Sequence, residues 1–140
     1  MSTIVLVAEK EEIKLIPLAY QGLPIIVTGV GARAYDVLKT LNPQVDLIVN
    51  IGYCGALEKK IGTVLYDADA VSVDEFAQSV DDLPKGFNAR KQVVDMESKW
   101  IKKWCEQNNC ELLMIKVVSD NLSYEQYKDE FEKKDKKSKA

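Results

Sequence analysis

Four carboxylates stand where the chain turns out of apolar runs. Glu12 follows TIVLVA (3–8), Asp95 and Glu97 flank Met96 in VVDMES (93–98), and Asp120 closes IKVVSD (115–120). The 140 residues include no histidine. A Ser-His or Cys-His couple is therefore excluded, and proton transfer falls to carboxylates, lysines or tyrosines. Each carboxylate has two readings. Asp95 before Met96-Glu97 is a good helix N-cap, and Glu97 complements the helix dipole; a carboxylate there can equally accept hydrogen bonds from paired hydroxyls such as a ribose diol. Asp120 after an apolar strand is turn chemistry, or an acid whose pKa partial burial raises. Glu12 is a solvated helix start, or a general base holding a water.

The elements that must place these groups follow from the pattern. Residues 3–8 and 112–118 are short, nearly continuous apolar runs, as in strands buried on both faces. PIIVT (24–28) is a further strand, and VDLIVNI (45–51) is a central one ending in Gly52-Tyr53-Cys54-Gly55. Residues 63–73 carry a long strand pattern, and 93–94 are a strand remnant beyond a polar loop at 74–92. Helices are expected at 32–41, with Ala34, Val37, Leu38 and Leu41 on one face, and from about Met96 to Gln107. Pro17 limits a helical start at 9–16 to a turn or two. Ser123-x-x-Gln126 has the form of a capping box opening a last helix. Strands alternating with helices make this an α/β chain with a largely parallel sheet, whose ligands sit at the carboxyl ends of strands.

Composition narrows the class. With 46% hydrophobic and 29% charged residues the chain suits one globular domain, taken as 1–132 with a polar basic tail at 133–140. A net charge of −3 speaks against nucleic acid as a partner. No apolar run approaches the roughly 20 residues that span a bilayer, and the N-terminus lacks signal-peptide features. Cys54, Cys105 and Cys110 have no metal-ligand spacing, which suits free thiols in a reducing cytoplasm, with no metal and no cofactor. Cys54 reads as a small core residue. Gly29-Val30-Gly31 before a helix, with Arg33 nearby, could bind an anion, Gly31 and Arg33 being its contacts. The Met96–Trp100–Trp104 row, at i, i+4 spacing, reads as core or as a subunit interface, and suggests a homo-oligomer, a dimer.

The order of TGVGARA (28–34), VNIGYCGAL (49–57), IGTVLYDADAV (61–71), VVDMES and IKVVSD resembles the nucleoside phosphorylase and nucleosidase superfamily, closest to the methylthioadenosine/S-adenosylhomocysteine nucleosidases. The resemblance spans roughly residues 3–122, broken between 75 and 92. It implies a single-domain nucleoside phosphorylase-like fold with a mostly parallel, mixed central sheet flanked by helices. It also implies roles: Met96 and Glu97 against the ribose, Asp120 protonating the leaving purine with Ser119 in support, Glu12 activating water, and Gly52, Tyr53 and Gly55 framing the sugar. Members carry an extra strand and helix before the Met-Glu turn, with an aromatic that stacks on the base; here Phe76 and Phe87 are the stand-ins. Tyr53 takes the place of a small residue, and Lys116 that of a basic residue, often Arg, four before the Asp. The phosphorylases' phosphate-clamping arginine has no counterpart at 50–55. The resemblance thus implies cleavage of the N-glycosidic bond of a purine nucleoside or thionucleoside by water. Phosphorolysis of the same bond, and a nucleoside-binding protein without turnover, are the alternatives.

Overall fold

Runs of Val, Ile and Leu form the middle of a seven-stranded sheet, because branched side chains pack well on a pleated surface buried on both faces. A computed structural model describes residues 2–41, 44–75, 77, 79–123 and 129. The centre is β3 (Leu47–Gly55), parallel to β1 (Thr3–Val7) on one side and to β7 (Glu111–Asp120) on the other. β1 also pairs in parallel with β2 (Ile25–Val27). The far end of β3 meets β6 (Gln92–Asp95) in antiparallel fashion, Gly55 facing Val94. β5 (Asp69–Ser72) extends β6 in parallel, and the short β4 (Val64–Leu65) runs antiparallel to β7. The mostly parallel, mixed sheet is the one expected.

Two helices, α1 (Arg33–Leu38) and α2 (Ser98–Gln107), cover one face. Ala34 and Leu38 pack with Ile101, Trp104 and Cys105 over Ile4, Leu6 and Ile48. A 3-10 helix at Lys10–Leu15 lies over the other face, where Val5, Val7, Val49, Ile51 and Ile115 bury with Ile16. None of the helices among the described residues is long and apolar enough to cross a membrane.

Several expectations need correction. The 63–73 segment is not one strand: β4 pairs with β7 and β5 with β6, with the turn between them letting the chain change partners. Gly52 to Gly55, expected beyond the 45–51 strand, are the last four residues of β3 itself, since β7 pairs with it to the end. α2 starts two residues late, at Ser98, because Asp95 to Glu97 serve the preceding strand and the turn. The tryptophan row, read as core or subunit interface, is core in part but not a single helix row. Trp104 is core, Trp100 packs at its edge against Tyr35, and Met96 precedes the helix and lines a cavity. Phe76, the helix expected after Ser123 and the tail at 133–140 fall outside the described residues.

Candidate active site

The site starts from a gap. β1 pairs with β3 only as far as Leu6 and Asn50, and β6 joins β3 only at Gly55. Between them the N–H of Tyr53 has no strand partner on that side, and a buried N–H left bare is costly. The carboxylate of Glu12 fills the place: its Oε2 accepts from Tyr53 N at 2.8 Å, and its Oε1 from Ala8 N and Glu9 N, each at 3.0 Å. The 3-10 helix that carries Glu12 is held in turn by a reciprocal capping box between Glu9 and Glu12. Gly52 makes the approach possible, for a Cβ there would lie 2.7 Å from Glu12 Oε2. That is its contribution; it does not frame the cavity. We expect Gly52→Ala to push the carboxylate aside; were Glu12 the base of a reaction, kcat would then fall more than KM rises, and steady-state kinetics measure both.

Burial pushes the Glu12 carboxyl up, against the opposing pull of the Tyr53 N–H and the Lys116 ammonium. Lys116 comes from the middle of β7, opposite Gly52, and is 1% exposed. Burial alone would depress its ammonium; Asp95, Glu97 and Glu12 outweigh burial and hold it above the ordinary lysine range. Its direct partner is Asp95 Oδ2, at 3.0 Å. The other Asp95 oxygen takes Ser98 Oγ (2.7 Å), Ser72 Oγ (2.9 Å) and Ser98 N (3.2 Å). Asp95 thus ties the first N–H of α2, that of Ser98, and pairs a buried lysine at once; both its oxygens are buried among these groups.

Glu97 follows at the start of α2. Its Oε2 accepts the N–H of Gly31 at 2.8 Å. The Gly29–Gly31 turn has positive φ at both glycines (85° and 67°), the left-handed region that favours glycine. The anion this turn receives is therefore a carboxylate of the chain itself. Arg33, expected beside it, is exposed and folds along Gly29 instead of entering the cavity. Burial pushes Glu97 up to about 7, with Lys116 pulling the other way.

Asp120 ends β7 and is 1% exposed. Its Oδ1 accepts from Leu122 N (2.8 Å) and Ser123 N (3.3 Å), and its Oδ2 from Ser119 Oγ (2.7 Å). Burial raises its pKa despite these donors, the Ser119 hydroxyl foremost. A small, mainly apolar cavity of about 210 Å³ brings the groups together. Glu12, Tyr53, Gly55, Met96, Glu97, Ser119 and Asp120 all line it, with Val30, Val73 and Leu122 among its walls. Cys54 lines it too, but burial pushes its thiol up to about 12, so it stays protonated and inert. Phe87 is displaced from its expected place: it packs behind the wall on Ala77, Val94 and Leu122. Among the described residues no three His, Cys, Asp or Glu side chains are grouped to hold a metal ion.

Sequence reasoning missed Ser72, Ser98 and the weight of Lys116. The signal for Lys116 was available: a lysine inside LLMIKVV must find a carboxylate if that strand is central.

Comparison with solved structures returns this architecture repeatedly. An MTAN from Chlamydia trachomatis superposes with a TM-score of 0.66 at 23% identity, over 98% of this chain and 92% of that one. The chain has the MTA/SAH nucleosidase fold. A Streptococcus pneumoniae MTA/SAH nucleosidase in complex with 8-aminoadenine shares that fold at 16% identity, with a TM-score of 0.63, over 94% of this chain and 92% of that one. So does the 5′-methylthioadenosine nucleosidase of Arabidopsis thaliana, at 14% identity and a TM-score of 0.72, over 93% and 88%. No family model and no curated protein matches the chain. In the nucleosidase fold of this chain, the ends of β1, β3, β6 and β7 converge on the cavity, as the carboxyl-end rule for such sheets requires.

Proposed function

We propose that the chain cleaves the N-glycosidic bond of a purine nucleoside or thionucleoside, with water as the nucleophile. The observation that carries this reading is the convergence of Glu12, Glu97 and Asp120 on one cavity from three separate elements. Departure of a purine builds positive charge on the sugar and negative charge on the base. It calls for an acid at the base, acceptors for the ribose hydroxyls and a nucleophile on the opposite side. Asp120 takes the first role, supported by Ser119, and delivers a proton near N7. Glu97 takes the ribose hydroxyls with Met96 against the sugar. Glu12 accepts a proton from water as its oxygen bonds to C1′ and the bond to the base breaks. Burial raises both Glu12 and Asp120, which makes the first a stronger base and keeps the second protonated to higher pH.

Phosphate as nucleophile is disfavoured. The Gly31 amide is already taken by Glu97, Arg33 lies off the cavity, and Lys116 is committed to Asp95. The neighbours' complexes with 8-aminoadenine and adenine support a purine as the leaving group. A homodimer in the cytoplasm is part of the same reading. Three free thiols suit the compartment, and the exposed Leu18, Ile25 and Val27 supply apolar surface for pairing. Base release from a nucleoside panel, with and without phosphate, tests the proposal. The expected result is a free sugar and a rate indifferent to phosphate. Sugar 1-phosphate would establish phosphorolysis instead, and binding without release would leave a nucleoside-binding protein.

A further inference from the structure

Among the described residues, two that are not glycine have positive φ, Asn109 (51°) and Leu122 (66°). Asn109 sits in the turn from α2 to β7, where asparagine is a common solution. Leu122 is not such a case. A bulky apolar side chain rarely enters the left-handed region and gains no local hydrogen bond by doing so. A conformation of this kind persists only where the surroundings over-determine it, and such residues gather at functional sites.

The surroundings of Leu122 do that from two sides. Its backbone N–H donates to Asp120 Oδ1 at 2.8 Å. Its side chain is 8% exposed, packs with Ala77 and Val94 and forms part of the cavity wall. Gly55 faces both groups: a Cβ there would stand 3.2 Å from Asp120 Oδ1 and 3.2 Å from Leu122 Cδ2. Oδ1 is thus enclosed by two backbone N–H groups and Gly55, and Oδ2 meets a hydroxyl.

We propose that Leu122 is a positioning residue for Asp120: its left-handed backbone turns the chain so that the next N–H, of Ser123, faces Oδ1 beside its own, and so assigns the transferable proton to Oδ2, against Ser119. The inference rests on the reading of Asp120 as the acid. Two backbone donors leave Oδ1 poorly suited to hold a proton. Ser119 is suited to either state of Oδ2, because its hydroxyl reaches Asp120 Oδ2 (2.7 Å) and the Cys54 carbonyl (3.3 Å). While Oδ2 carries the proton, the Ser119 O–H turns to Cys54 and its oxygen accepts from Oδ2. During cleavage the Oδ2–H bond breaks, an N–H bond forms on the purine, and the electron pair of the C1′–N bond passes to the base. The carboxylate left behind is met by the N–H groups of Leu122 and Ser123 and by the returning Ser119 hydroxyl.

Leu122→Ile and Leu122→Gly separate backbone from side chain. Ile keeps the volume of the wall but resists positive φ. Gly keeps the backbone conformation at no steric cost and removes the wall. The Asp120 carboxyl is followed by ¹³C NMR titration of the ligand-free protein, its signal assigned by its loss in Asp120→Asn. In Leu122→Ile the midpoint should move upward, because a donor to the carboxylate is lost, and kcat should fall by about tenfold or more. In Leu122→Gly the midpoint should not move upward, since the donors stay and the lost wall admits solvent, while KM rises. An unchanged midpoint in Leu122→Ile, or an equal shift in both variants, overturns the proposal. If the wild type releases no base, the functional reading fails, yet the titration order still decides the positioning. If Leu122→Ile does not fold, melting of Leu122→Gly against Leu122→Ala decides: Gly above Ala supports the left-handed constraint, and Ala above Gly overturns it.

Discussion

Asp120→Asn should lower base release by about 10²–10⁴-fold, the range expected for loss of a positioned acid, while nucleoside affinity falls much less. Asn keeps the shape and can accept the Leu122 and Ser123 N–H groups that now meet Oδ1. It can also donate a hydrogen bond, but it cannot pass a proton to the leaving base. The wild-type pH profile has a fixed sign. As the proposed acid Asp120 works protonated, so activity should fall on the alkaline side as it ionises, with burial displacing that limb upward. As the proposed base Glu12 works ionised, so activity should fall on the acidic side, with burial displacing that limb upward as well. Asp120→Asn should abolish the alkaline limb. A variant that matches the wild-type rate, or keeps the limb, removes Asp120 from the chemistry.

The second large effect is on stability. Lys116→Met should cost about 3–5 kcal/mol, as does breaking one side of a buried ion pair. The side chains of Lys116 and Asp95 are each 1% exposed, and their contact is 3.0 Å. Met fills similar space but leaves Asp95 charged and without its cation, with Glu12 and Glu97 losing theirs too. Adding Asp95→Asn should recover part of the loss, since the orphaned charge goes with it. Denaturant unfolding of the wild type, both single variants and the double variant reads this directly. A cost for Lys116→Met within about 1 kcal/mol, the range of an exposed pair, would show that the pair is not a buried tie between β6 and β7.

Much of this was legible before the structure because a few long-range rules dominate. Apolar runs bounded by polar turns located β1, β3 and β7, and the strand-end rule pointed at Glu12, Glu97 and Asp120, which do line one cavity. What failed, failed for particular reasons. Glycines at 52 and 55 suggest a turn when only local conformation is weighed, but here each makes room for a carboxylate within the strand, the second at its last position. Periodicity could not show that 63–73 changes pairing partner midway, since partner choice leaves no trace in a period of two. Spacing placed Met96, Trp100 and Trp104 on one row of a helix; Met96 lies before α2, so the row was never a single face. Asp95 has the composition of a cap, but Glu97 holds the cap position of α2; Asp95 reaches the Ser98 N–H from two residues earlier, and its second oxygen is spoken for by a lysine twenty-one positions away.

The premature end of β1 has a consequence for how this chain can tolerate change. Continued in register from the Leu6–Asn50 pair, β1 would bring Glu9 opposite Tyr53. Its backbone would then take the Tyr53 N–H, and the carboxylate that now fills that position would have nowhere to sit. The placement of Glu12, and with it the role proposed for it toward water, therefore depends on where one strand stops as much as on any side chain. Insertions or deletions at residues 8–11 should be far less permissible than substitutions there, even though the segment is partly exposed and reads as an ordinary connector. In a lineage of such chains, this junction would keep its length while its letters drift.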